Sequence, residues 1–145
     1  NLTKLEAARV YIAARYERRL EMVDRARELE AIGGVSTATW LNGEHEALDT
    51  TPGFGGKAAL FADDDLGDII SSDWLVLFTD PPGAPSRGGR HTEFGFAIAL
   101  LPNIAVIGEP ENVFHWLPEV QRFATWADFL SHLEAACLRR AEAAS

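Results

Sequence analysis

The pattern of apolar and polar residues divides the chain into short strand-like runs and longer stretches with helical spacing. Continuous apolar runs predict buried strands at 9–14, 74–79 and 104–108, and β-branched residues predict another strand at 35–40. A short final strand is predicted within "QRFATW", residues 121–126. The chain therefore supplies about five strands.

Helices are predicted between and after these strands, over 15–34, 58–72, 91–101 and 126–144. In the first helix Gly33-Gly34 supplies the stop, and the apolar residues at helical spacing are Leu20, Val23, Ala26 and Leu29. In the second helix the residues available for burial are Leu60, Phe61, Ile69 and Ile70.

Continuous apolar strands that alternate with helices predict a parallel sheet covered on both faces. We therefore expect one α/β domain over 1–145, a flavodoxin- or Rossmann-like sandwich with about five strands and helices on both faces. Ligands of such sheets bind beyond the carboxyl ends of the strands. Function is accordingly expected in the loops after residues 14, 40, 79 and 108, of which 41–57 and 80–90 are long and glycine-rich.

Composition and charge limit the classes of partner and the cellular location that the sequence predicts. The net charge of −9 weighs against a nucleic-acid polymer, because such binding is driven mainly by phosphate neutralisation. No run approaches the ~18 consecutive apolar residues of a membrane span. A single cysteine, Cys137, excludes an internal disulfide framework. With no secretory signal pattern at the start of the sequence, these features predict a cytoplasmic protein.

Motifs for metals and common cofactors are missing. The four histidines lack metal-ligand spacing; they are His45, His91, His115 and His132. The sequence contains no G-x-S-x-G elbow, no G-x-x-x-x-G-K-[ST] loop and no G-x-G-x-x-G after the first strand. We therefore expect neither a metal nor a cofactor.

Glu93 is the first candidate for chemistry, since it lies where a glycine-rich loop turns into an apolar helix. The helix start, Arg87 and Arg90 would all favour the ionised carboxylate. An ionised, oriented carboxylate can attack an oxocarbenium-like carbon, as in retaining glycosidases. A first-turn glutamate that only complements the helix dipole is the alternative, and position alone favours it.

Other candidates also have two interpretations. Five aspartates form a solvated helix face or include a second carboxylate that serves as general acid, and spacing does not choose among Asp63, Asp64, Asp65, Asp68 and Asp73. Tyr11 is a half-buried strand aromatic or a ligand contact. Arg15, at a strand's carboxyl end, suits a phosphate or carboxylate. Trp40 either belongs to the core or stacks on a planar base.

Five short motifs follow one another in a characteristic order: "VYIAARY", "DLGDI", "WLVLFTD", "PSRGG" and "EFGFAIA". In this order and spacing, from about residue 10 to residue 118, the chain resembles the nucleoside 2-deoxyribosyltransferase superfamily, which includes the 2'-deoxynucleoside 5'-phosphate N-hydrolases. The resemblance implies that Glu93 is a nucleophile that attacks the anomeric carbon and displaces the base. It implies that Asp65 supports the base or proton transfer, and that Tyr11 lies at the sugar–base pocket.

One position departs from the transferases, which have an aspartate six residues before the nucleophile. Arg87 stands there, with Ser86 beside it. The nucleotide hydrolases of the family also lack this aspartate and use the loop for phosphate. We therefore favour a nucleoside 5'-monophosphate, held by an anion site that comprises Arg15, Ser86, Arg87 and the amides of Gly88 and Gly89.

The resemblance also implies a homodimer or higher homo-oligomer, because family members commonly complete the pocket from a neighbouring subunit. Asn112 and His115 are the candidates for that contribution. Two alternatives stay open. One is a phosphoribohydrolase that acts on ribonucleotides, whose P-G-G-x-G-T-x-x-E motif "PSRGGRHTE" partly matches. The other is a nucleotide sensor on the same fold, without catalysis.

Overall fold

The computed structural model describes residues 7–43 and 55–144. Its strands are β1 Arg9–Ala13, β2 Val35–Ser36, β3 Trp74–Phe78, β4 Asn103–Ile107 and β5 Val120–Phe123. Its helices are α1 Arg19–Ala31, α2 Gly55–Ile70, α3 Gly89–Leu100 and α4 Trp126–Ala144. Short 3-10 turns cover Tyr16–Arg18, Thr39–Asn42 and Val113–Trp116.

All five strands pair in parallel, in the order β2-β1-β3-β4-β5. Every residue of the central strand β3 is buried, as expected for a strand covered on both faces. The predicted α/β fold with a five-stranded parallel sheet is thus confirmed. Because β1 and β3 are neighbours, with Tyr11 opposite Leu75, their carboxyl ends open onto one edge of the sheet.

Helix α1 buries a different stripe from the predicted one. Met22, Ala26 and Leu29 are buried, whereas Leu20 is 71% exposed. A strict spacing of three residues drifts around a helix of 3.6 residues per turn. Leu20 and Leu29 therefore lie on opposite sides of the helix, and only Leu29 faces the sheet.

The strand predicted over 35–40 is mostly absent, since β2 ends at Ser36. Side chains compete with the sheet ladder here. Asp68 accepts hydrogen bonds from the Thr39 amide, at 3.0 Å, and from its hydroxyl, at 2.6 Å. The chain therefore enters the 3-10 turn Thr39–Asn42 instead of continuing along β1.

Helix boundaries and faces also differ in places. Helix α2 begins three residues before the predicted start, and of the four residues expected to be buried only Ile69 is fully so. Leu60 and Ile70 point outward and are exposed. Within the predicted loop 41–57, residues 44–54 lie outside the described residues.

Candidate active site

Tyr11 and Glu93 meet at the carboxyl edge of the sheet. Tyr11 is fully buried on β1, and its hydroxyl donates a hydrogen bond to Oε2 of Glu93. Glu93 is the fifth residue of α3, and the first turn of that helix holds no acidic residue. The interpretation of Glu93 as a first-turn complement to the helix dipole is therefore wrong.

The environment of Glu93 favours its protonated form. Burial raises the pKa of Glu93 to about 8, and the negative charges of Asp65 and Asp68 act in the same direction. The hydrogen bond from Tyr11 opposes them by stabilising the carboxylate. Burial and the Glu93 charge also raise the pKa of Tyr11, so Tyr11 remains a donor.

The expectation that the helix start, Arg87 and Arg90 favour the ionised form of Glu93 is thus wrong, because the pKa of Glu93 is raised and neither arginine is among the groups that shift it. Arg90 is buried and directs its guanidinium to Asp80 and Glu111. The sequence showed the spacing between Arg90 and Glu93 but not the competing acids, which are Asp80 at the start of the loop before α3 and Glu111 after β4.

A cavity of about 520 Å³ lies in front of Glu93. It brings together most of the predicted site: Arg15, Trp40, Asp65, Ser86, Arg87, Gly88, Gly89 and Glu93. Its other lining residues include three that sequence reasoning missed as site residues, Tyr16, Glu17 and Phe61, and also Arg90, which the sequence placed near Glu93. Tyr16 and Glu17 directly follow Arg15. The position of this segment at the carboxyl end of β1 was the signal that could have identified them as site residues. The volume is of the size that small-molecule sites have.

Trp40 belongs to the core and also lines the cavity, and its stacking on a planar base stays a prediction. It is only 5% exposed, and its indole N–H donates to the carbonyl oxygen of Ile12 at 2.8 Å. Its ring packs against that of Tyr16, with centroids 6.2 Å apart. The remaining surface of the indole lines the cavity, where it offers an apolar face and no hydrogen-bond donor.

The loop before α3 is where the sequence predicts an anion site, and one of its side chains fixes its backbone. Gly88 has a φ of 87°, in the left-handed region that favours glycine. Ser86 fixes this turn, because its hydroxyl oxygen accepts from the Gly88 amide at 3.1 Å and from Arg90 Nη1 at 3.0 Å. Gly89 then opens the helix, where free amides and the helix dipole attract negative charge.

Asp80, two residues beyond β3, is a buried carboxylate surrounded by arginines. Arg18 Nη1 donates to Asp80 Oδ1 at 3.1 Å, Arg90 Nη2 lies 3.2 Å from Oδ2, and Arg15 Nε lies 3.8 Å from Oδ2. Arg90 Nη2 also donates to Glu111 Oε1 at 2.5 Å. We call these five residues the Asp80 network. Asp80 closes the motif "WLVLFTD", but its charge partners are distant in sequence and were not foreseen.

Asn112 and His115 do not line the cavity of their own chain. Asn112 caps the turn Val113–Trp116 by accepting from the Phe114 amide at 2.9 Å. His115 is fully buried, and its Nδ1 accepts from the Glu111 amide at 3.0 Å. Burial, with the nearby charges of His91 and Arg90, lowers the pKa of His115 to about 4. A contribution of these residues to a second copy's pocket stays a prediction.

Two further properties concern residues 7–43 and 55–144. Within these ranges no group of three or more His, Cys, Asp or Glu side chains is arranged to hold a metal ion. Nor is any helix in this part of the chain long and apolar enough to cross a membrane. His45 lies outside the described residues.

Similarity to known proteins appears in the three-dimensional structure. No protein-family model and no curated protein matches the chain by sequence. The structure is similar to that of a 2-deoxyribosyltransferase from Bacillus psychrosaccharolyticus, with a TM-score of 0.62 and 21% identity over 85% of this chain and 90% of that one. It is also similar to a CMP N-glycosidase from Clostridium botulinum, with a TM-score of 0.52 and 19% identity over 88% and 98% of the two chains. The chain has the fold that these two enzymes share, as its sequence motifs imply.

Proposed function

We propose that this chain, which shares the fold of a 2-deoxyribosyltransferase and a CMP N-glycosidase, cleaves or exchanges the N-glycosidic bond of a 2'-deoxynucleoside or its 5'-monophosphate. The observation that carries the proposal is the hydrogen bond from the buried Tyr11 hydroxyl to Glu93, at the wall of a cavity of about 520 Å³. A carboxylate held by a buried donor, beside a second carboxylate, is the arrangement that glycosyl transfer uses.

In the first step, the Glu93 carboxylate attacks the anomeric carbon of the sugar. The C–N bond to the base breaks, and its electron pair leaves with the base. The proton that Glu93 carries at rest passes to Asp65, which lines the same cavity, and Asp65 donates it to the departing base. Tyr11 holds the Glu93 carboxylate in place through its O–H, and the product is a glycosyl-glutamate ester.

In the second step, the ester is cleaved at the anomeric carbon and Glu93 leaves as a carboxylate. Water as the attacking group gives hydrolysis, with its proton returned to Asp65. A second base as the attacking group gives transfer and forms a new C–N bond. The same residues serve both outcomes, so the access of water or base to the ester decides between them.

The lining of the cavity suits both parts of a nucleotide. Arg15, Arg87 and the helix start at Gly88 and Gly89 contribute positive charge and the helix dipole to this lining, where they would neutralise a 5'-phosphate. The apolar faces of Trp40, Phe61 and Tyr16 also line the cavity and suit a planar base. We therefore favour the 5'-monophosphate over the free nucleoside.

The test incubates the protein with 2'-deoxynucleosides, their 5'-monophosphates and the corresponding ribonucleotides, with and without an acceptor base, and follows free base. Release that depends on Glu93 supports the proposal, and the mass of the denatured protein should rise by one sugar unit during turnover. Full activity in Glu93→Ala would refute the mechanism. Release from ribonucleotides alone would favour a phosphoribohydrolase, and binding without release would favour a sensor.

A homo-oligomer belongs to the same proposal, with Asn112 as the residue offered to a second copy. Light scattering of the purified chain measures the oligomeric state. Mixing inactive Glu93→Gln chains with Asn112→Ala chains tests the contribution, because hybrid assemblies would contain one complete site. Recovery of activity on mixing supports a shared pocket. A fully active monomer would contradict it.

A further inference from the structure

We propose that Asp80 is a positioning residue of this site, because its buried carboxylate fixes the separation of the two cavity walls that contact the substrate. The first wall is residues 15–17, which follow β1, and the second wall is residues 86–90, which precede and begin α3. This inference rests on the proposed function, since it assigns a role within the same cavity.

The contacts of Asp80 bridge the two walls directly. On one side Arg15 Nε of the first wall lies 3.8 Å from Asp80 Oδ2. Arg18, which directly follows that wall, donates to Asp80 Oδ1 at 3.1 Å and to the Thr79 carbonyl at 2.9 Å. On the other side Arg90 lies 3.2 Å from Oδ2. Backbone pairing between β1 and β3 ends at Ala13 and Leu77, so the loops beyond these residues need another link.

Within the second wall, Arg90 transmits this constraint. Its Nη1 donates to the hydroxyl of Ser86 at 3.0 Å, and that hydroxyl also holds the Gly88 amide. The chain of contacts therefore runs from Asp80 through Arg90 and Ser86 to the left-handed turn at Gly88. Asp80 thereby sets where the amides of the predicted anion site lie.

Asp80 does not contact the catalytic pair. Glu93 is held by Tyr11, and Asp80 is not among the groups that shift the Glu93 pKa, which are burial, Tyr11, Asp65 and Asp68. The role of Asp80 is therefore separable from the chemistry. Its loss should change how the substrate is held and leave the Glu93 carboxylate unchanged.

The main variant is Asp80→Asn, which removes the charge and keeps the shape of the side chain. Folding should be retained, because Arg90 keeps Glu111 and Arg18 keeps Glu21 and the Thr79 carbonyl. We expect KM to rise about ten- to hundredfold, the loss of binding that corresponds to about one hydrogen bond to a charged group, with kcat and the pH profile unchanged. Arg18→Gln removes the Arg18 contact to Asp80 and keeps the Arg15 contact, so it should give a smaller rise in KM.

Asp73→Asn is the matched control. Asp73 precedes β3 at the opposite edge of the sheet, where its Oδ2 accepts from the Arg9 amide at 2.9 Å. It should lower the midpoint of thermal unfolding without changing KM. A KM rise of equal size in Asp73→Asn, or a loss confined to kcat in Asp80→Asn, would overturn the positioning role.

Binding measurements separate this inference from the proposed function. Calorimetric titration with the four 2'-deoxynucleoside 5'-monophosphates and CMP gives affinities even if no base is released. A wild-type chain that binds without cleavage, and binds more weakly as Asp80→Asn, supports the positioning role and refutes the enzyme. An active wild type with an unchanged KM in Asp80→Asn refutes the positioning role alone. A wild type that neither binds nor cleaves refutes both.

Discussion

The hydroxyl of Tyr11 and the carboxylate of Glu93 form a hydrogen bond across 82 positions of sequence. Tyr11 lies on β1, which is second in the spatial order of the sheet. Glu93 lies on α3, the helix that follows the central strand β3. The bond therefore joins two neighbouring strand–loop units at the carboxyl edge. The pKa of Glu93 is about 8 in this setting. The ionisation of Glu93 therefore affects both the reaction and the stability of the chain.

Glu93→Gln should abolish base release, because an amide of the same shape is not a nucleophile. The expected loss in kcat is on the order of 10³-fold or more. Steady-state assays on the most reactive 2'-deoxynucleotide measure it. Glu109→Gln, an exposed glutamate after β4, is the control that should keep wild-type rates. Comparable losses in both variants would contradict a specific role for Glu93.

Tyr11→Phe should shift the pH dependence of the reaction to higher pH. The Tyr11 hydrogen bond lowers the Glu93 pKa from what burial alone would give, so its removal raises that pKa above about 8. A further rise of one unit would lower the ionised fraction at pH 7 about tenfold.

The pH–rate profile of kcat/KM is the measurement. Tyr16→Phe removes the hydroxyl of the other tyrosine and should leave the acid limb of the profile where it is in the wild type. An acid limb that does not move in Tyr11→Phe would separate Tyr11 from the ionisation of Glu93.

Stability should fall as pH rises between about 4.5 and 8. Glu93 has a pKa of about 8 in the folded chain against 4.5 as its ordinary value. In this interval the folded state holds a proton that the unfolded state has lost, and ∂ΔG_unfold/∂pH is negative. The stabilisation is fully present below pH 4.5 and is lost as the pH rises through 8.

Glu93→Gln removes this titration. It should match the wild type near pH 5 and exceed it near pH 9 by roughly 2 to 5 kcal/mol. Urea unfolding at both pH values, monitored by circular dichroism, measures the difference. A wild type as stable as Glu93→Gln at pH 9 would show that the Glu93 pKa is not raised.

Gly88→Ala and Gly89→Ala distinguish the cost of backbone strain from the cost of steric overlap in the predicted anion loop. A Cβ at either position meets no atom within 4 Å, but only Gly88 has a positive φ. Gly88→Ala should cost about 1–2 kcal/mol of unfolding free energy, whereas Gly89→Ala should stabilise the chain by about 0.4–1 kcal/mol. Thermal unfolding compares them. Equal effects would contradict a left-handed turn at Gly88.

Continuous apolar runs made most of the fold predictable. The strand predicted over "WLVLFT" and the helix predicted over 126–144 match the structure closely. The strand is buried on both faces and is therefore a continuous apolar run, and the helix has an amphipathic repeat, so both patterns can be read from neighbouring residues. Trp40 shows where this fails. Its segment is rich in β-branched residues, but Asp68 from a later helix captures Thr39 and ends the strand.

The sequence was enough to predict which residues lie together around the cavity. It was not enough to predict the electrostatic environment of these residues. Ordered motifs placed Tyr11 on the first strand and Asp65 and Glu93 on two later helices, since these places follow from chain order. The raised pKa of Glu93 depends on burial and on Asp65 and Asp68 of α2. The pairing of Arg90 depends on Asp80 and Glu111, which follow two different strands. Local spacing carries no information about either.

The long separation between Tyr11 and Glu93 also has a kinetic consequence. The bond between them can form only after β1 has paired with β3 and α3 has packed above them, contacts that close a large loop of chain and therefore form slowly. Helix content should return early during refolding from urea, since helices form from local contacts within microseconds. The ability to bind substrate at this edge of the sheet should return last. The delay between the two signals would measure the time that the loops around Glu93 need to pack onto the completed sheet.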